Sequence, residues 1–144
     1  MRFDDSIHLL GDCTAGIEMA VSTIDGLLPE IHDRTLRQKL QAGLQEHQSL
    51  RDRTVSLLQQ YGGQEKAPGP MAKGMAWLKT NTRMAMGGDD TTAAYLVADG
   101  CDLGVKSLSR SRNRYAGAAP QAIELAQELI RCEERLSAGL RPYL

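Results

Sequence analysis

The sequence is poor in aromatic residues: one Trp, one Phe and four Tyr in 144 residues, or 4%. A core with few rings is built from Leu, Ile, Val, Ala and Met, which suits helix packing and is poor material for a sheet. No apolar run approaches the roughly 20 residues of a membrane-spanning helix. An excess of charge of one sign is missing too: 17 Lys and Arg stand against 18 Asp and Glu, for a net charge of −1. The field of the whole molecule therefore selects neither a polyanion nor a membrane surface. Cysteines number three, an odd count spread widely along the chain, which argues against the disulfide framework of a small secreted protein. The start, Met1-Arg2-Phe3-Asp4-Asp5, is polar and acidic, unlike a secretory leader. The expectation is a cytoplasmic protein of one domain over residues 1–144.

What is present is helical periodicity. Ile7, Leu10, Thr14, Ile17, Val21, Ile24 and Leu28 recur at spacings of three and four, with Asp4 or Asp5 as cap and Pro29 as stop. A second stripe runs Leu36, Leu40, Gly43, His47, Leu50, Thr54, Leu57, Tyr61, with Asp33 as cap and Gly62-Gly63 as stop. The short link between them makes an antiparallel hairpin. Pro70, Met71, Met75, Leu78, Thr82 and Ala85 predict a shorter connecting helix over 70–86. Asp89-Asp90 caps a third long helix, with Ala94, Ala98, Cys101, Val105 and Leu108 on one face. Pro120 starts a fourth, striped by Ala122, Leu125, Leu129, Cys132, Leu136 and Leu140. Strand signals, repeats and low-complexity stretches are missing. The pattern predicts an all-α four-helix bundle of ferritin-like layout with an additional short connecting helix, or a plain up-down bundle of five.

Few residues suggest chemistry. A di-iron carboxylate site needs Glu-x-x-His on two helices, so that both ligands share a face. The chain has none; Glu46 and His47 are adjacent, about 100° apart around their helix. Glu18, Glu46, Asp102, Glu128 and Glu133 sit roughly 60–80° off their stripes by helical geometry, which places them as carboxylates flanking the core, on solvated faces or in salt bridges. His47 lies on its core stripe, beside space left by Gly43. It must find hydrogen-bond partners, with Thr14 and Thr54 as candidates, or else line a ligand or metal cavity. Cys101 and Cys132 lie on core stripes at equal distances from the loop joining their helices. With Cys13 and His47 they could offer a divalent, thiophilic metal four ligands near mid-bundle. Close Cys-x-x-Cys pairs, the strong zinc signature, are missing, and buried thiols are more often small hydrophobes. Gly100 and Gly104, inside one helix, point to close approach of a neighbouring helix or to a ligand.

The stretch Asp99-Gly100-Cys101-Asp102-Leu103-Gly104-Val105-Lys106-Ser107-Leu108, with the Glu46-His47 helix, resembles a group of bacterial ferritin-like four-helix proteins over most of the chain. Ferritin-like proteins often bind two irons and handle oxygen or peroxide. This chain departs from their ligand motif on both motif helices, so the resemblance implies the architecture without the iron chemistry. Lys106, Arg110, Arg112 and Arg114, with Lys66, Lys73, Lys79 and Arg83, make a basic surface that lacks the interleaved aromatics of a nucleic-acid site. Met71, Met75, Met84, Met86 and Trp77 offer an adaptable surface. The leading expectation is a non-catalytic interaction or ligand-binding module that self-associates or meets a protein partner. The alternatives are a metal or redox protein with a degenerate ferritin-like site, and a weak anion or nucleic-acid binder.

Overall fold

The protein was obtained as a computed structural model that describes residues 2–63 and 89–144. Four long helices, α1 (Phe3–Leu27), α2 (Arg34–Gln60), α3 (Asp90–Arg114) and α4 (Pro120–Leu140), make up nearly all of it. Short 3-10 turns follow α1 (Leu28–Glu30) and α4 (Arg141–Tyr143), each with its Pro near the start. No strand occurs among the described residues. The connecting helix expected over 70–86, with its methionines, Trp77 and lysines, lies outside them.

Helix ends follow the side chains available to cap them. Asp33 accepts from the Leu36 amide at 2.8 Å and starts α2; Asp89 does the same for Thr92 at 3.0 Å and starts α3. Asp90 reaches back to the backbone of His32 and Asp33 at 2.9 and 2.6 Å, pinning the start of α3 to the α1–α2 turn. At α1 the expected Asp cap is not used. Arg2 is the capping position, and Asp5 instead accepts from the Gly117 amide at 3.0 Å in the α3–α4 loop. Gly62 adopts φ +78°, the left-handed conformation that ends α2. Asp33→Ala should cost about 1 kcal/mol, the usual worth of an N-cap, read as a shift in the urea midpoint at unchanged slope.

These contacts fix the directions of the helices. Gly63, at the end of α2, lies against Ile7 near the start of α1. The start of α3 lies beside the start of α2. Thus α2 and α3 run the same way, and α1 and α4 run against them. Residues 63 and 89 stand at opposite ends of the bundle, about 40 Å apart at 1.5 Å per residue along α2. The pairs α1–α2 and α3–α4 pack most extensively, and α2–α4 and α1–α3 contacts close the bundle.

The core falls into two apolar clusters. One contains Leu9, Leu10, Ile17, Leu58, Leu108 and Leu129; the other contains Ile24, Leu36, Leu40, Val97, Leu136 and Leu140. Along every helix the boundary comes at the middle: past Ile17 on α1, between Leu40 and Leu50 on α2, between Cys101 and Leu108 on α3, between Cys132 and Leu136 on α4. A polar layer occupies that level.

Candidate functional site

The polar layer is built on His47 and Glu133. His47 faces inward because it continues the stripe Leu36, Leu40, Gly43, Leu50, Thr54, all of it buried; the imidazole is 0% exposed. Its Nδ1 lies 2.7 Å from the Gly43 carbonyl one turn back. A carbonyl oxygen only accepts, so Nδ1 carries a hydrogen. Its Nε2 lies 2.7 Å from Glu133 Oε1. Burial pulls the imidazole down, but its contacts with Cys132 and Glu133 outweigh that and raise it to about 10. The carboxylate is the stronger of the two, because Cys132 Sγ is 3.8 Å from an Nδ1 whose one hydrogen already goes to Gly43. His47 is thus an imidazolium at neutral pH, donating from both nitrogens, and Glu133 is its counter-ion.

Glu133 was expected beside the core and is in it, 4% exposed. The reason is the breadth of the buried face of α4. Beside the expected stripe, Ala126, Ile130, Glu133 and Ser137 form a second buried row, because α4 contacts α1, α2 and α3. Gly104 faces the carboxyl: a Cβ there would sit 3.5 Å from the Glu133 carboxyl carbon, in ordinary van der Waals contact.

The other candidates divide clearly. Cys132 donates to Glu46 Oε2 at 3.2 Å and so joins the edge of the layer. Cys13 is fully buried among apolar side chains and sits within the first core cluster. Its thiol is pushed up to about 12 by burial and by Asp12, and burial likewise raises Cys101 and Cys132. All three thiols are therefore protonated at neutral pH. Glu18 pairs with Arg51, Glu46 with Arg135 at 3.1 Å, and Glu128 with Arg53 at 2.6 Å, while Asp102 accepts from Ser137 at 2.9 Å. Thr14 and Thr54 do not serve His47. Each bonds the carbonyl four residues back, Leu10 at 3.0 Å and Leu50 at 2.6 Å. The space beside Gly43 is filled by Leu136, 3.1 Å from where a Cβ would stand. Among the described residues no group of three or more His, Cys, Asp or Glu is arranged to hold a metal ion.

On the other side of Glu133 lies a cavity of about 140 Å³ between α1, α3 and α4. Met19, Ala20 and Ile24 line it from α1, and Gly100, Leu103 and Gly104 from α3. Glu133 is the single charged residue among its described walls, which are otherwise almost wholly apolar. Gly16, Gly100 and Gly104 line it without side chains. A Cβ at Gly100 would meet nothing within 4 Å.

Fold and site together define an all-α four-helix bundle with a buried ion pair at mid-height and an apolar cavity against it. No helix among the described residues is long and apolar enough to cross a membrane. No family model, curated protein or solved structure matches the chain.

Proposed function

We propose that the protein is a ligand-binding module, and that the cavity between α1, α3 and α4 takes a small, largely apolar molecule. One observation carries this: a cavity of about 140 Å³ whose apolar walls end on the buried carboxyl of Glu133. An apolar protein cavity of about 150 Å³ accepts a benzene ring, so the volume suits a single ring or a short chain. A convergent polar group in an otherwise apolar pocket is the common form of a small-molecule site. Two glycines in the wall of α3 each forgo about 1 kcal/mol of helix propensity, and a Cβ at Gly100 would meet nothing within 4 Å.

The architecture supports a ferritin-like bundle without the di-iron ligands. Two antiparallel hairpins, with α2 and α3 parallel and so joined across the length of the bundle, are the ferritin-like order. Three free, buried cysteines support a reducing compartment such as the cytoplasm.

Thermal unfolding with neutral ring compounds tests the reading. A saturating ligand should raise the melting temperature, since it binds the folded state alone. Gly100→Leu should raise stability by about 0.5–1 kcal/mol without ligand and abolish the ligand-dependent rise by filling the cavity. Gly11→Ala, where a Cβ also meets nothing within 4 Å but which does not line the cavity, should stabilise and leave the rise intact. A ligand-dependent rise that survives in Gly100→Leu would place binding elsewhere.

A further inference from the structure

The charge balance at the cavity floor narrows the ligand's chemistry, given the reading of the cavity as a ligand site. Glu133 and His47 already neutralise each other at 2.7 Å in surroundings shielded from water. A cationic ligand would bring a third, uncompensated charge into an apolar space, where desolvation exceeds the attraction. An anionic ligand would face the carboxylate directly. A plain hydrocarbon would fit the walls but leave the carboxylate's remaining acceptor positions unused. A carboxylate offers about four such positions, and His47 Nε2 occupies one. Asp102, the next acid along α3, does not compete, because it is exposed and bonded to Ser137. Ser107, on the same wall of α3, adds a hydroxyl to the lining.

We infer that the ligand is a small neutral molecule carrying one hydroxyl on a ring or short chain, and that this hydroxyl donates its hydrogen bond to Glu133. The hydroxyl adds a charge-assisted bond without adding charge. The apolar remainder lies against Met19, Ala20, Ile24 and Leu103.

Phenol and toluene are nearly the same shape and differ in the hydroxyl. Titrated into the full-length protein by calorimetry, phenol should bind about tenfold more tightly than toluene, or better, as a hydrogen bond to a charged group implies. Benzylammonium and benzoate should show no saturable binding. In the double variant His47→Leu/Glu133→Leu, toluene should still bind and the phenol preference should vanish. If that variant does not fold, the side-chain carboxyl carbon resonance of Glu133 in the wild type reports the same contact, and should move with phenol and stay with toluene. Toluene binding as well as phenol overturns the hydroxyl assignment and keeps the cavity as a site. Benzylammonium binding more tightly than phenol overturns the neutral assignment. Failure of every neutral probe to bind overturns the cavity reading itself.

Discussion

Replacing His47 by leucine should destabilise the protein by about 3–5 kcal/mol, the usual result of removing one member of a buried ion pair. Leucine fills much of the imidazole's volume, so most of the loss comes from Glu133. Its carboxylate, 4% exposed, would lose its counter-ion. Replacing Glu133 by leucine as well should restore stability to about the wild-type value or above it, since an apolar pair of similar volume often matches or exceeds a buried ion pair. The double-mutant cycle, read by urea unfolding, should therefore show a coupling of several kcal/mol. Equal, additive losses from the two single variants would mean that the residues do not act as a pair. A stable double variant also makes a point about selection. If the apolar bundle is as stable without the pair, the pair is there for something other than stability.

Stability should also fall as pH rises from about 6.5 towards 10. The folded-state value of His47 lies above its unfolded value of 6.5, at about 10. In that interval the folded protein holds one proton more than the unfolded chain. Stability from this group is fully present below about pH 6.5 and is lost progressively up to about 10, with a slope approaching 1.4 kcal/mol per pH unit. The thiols of Cys13, Cys101 and Cys132, raised from 9.0, act in the same direction but only above about pH 9. Asp89 and Asp90, both lowered by backbone hydrogen bonds, act at the acid end, where their contribution is lost as pH falls below about 4. The window from about 6.5 to 9 thus isolates His47. Urea midpoints at steps across this window should decline in the wild type. In Glu133→Gln the decline should disappear, because burial then governs the imidazole and holds it neutral. A wild-type stability that is flat from pH 6.5 to 9 would mean that His47 is neutral in the folded protein.

The helices were legible because their signals are local. Stripe spacing, Asp33, Asp89, Pro120 and Gly62 each act within one turn of chain, and each does in the structure what its chemistry suggests. The inward position of His47 was equally readable from its stripe. Its partner was not. Glu133 is 86 residues away on another helix, and single-helix periodicity carries no information about which rows of two helices meet. For the same reason Cys13 and Glu133, both off the centre of their stripes, are buried. A helix that touches three neighbours buries a wider arc than one stripe. Gly104 was the available clue, because a glycine inside a helix marks where something comes close. That the something is a carboxylate, and that Gly100 faces open space, depends on how α1, α3 and α4 are spaced. Asp5 shows the same limit at an end of the bundle, where a tertiary bond to Gly117 replaces the local cap.

On the proposed reading, the cavity beside the His47–Glu133 pair binds small neutral molecules. Titrating toluene and phenol into 15N-labelled protein, with amide resonances followed, tests it most directly, because Gly16, Gly100 and Gly104 line the cavity and glycine amides fall in an uncrowded part of the spectrum. Saturable shifts centred on these three glycines and on Glu133 are expected, with Gly11 and Gly139 unmoved. No saturable shift, or shifts centred on another face of the bundle, would contradict it.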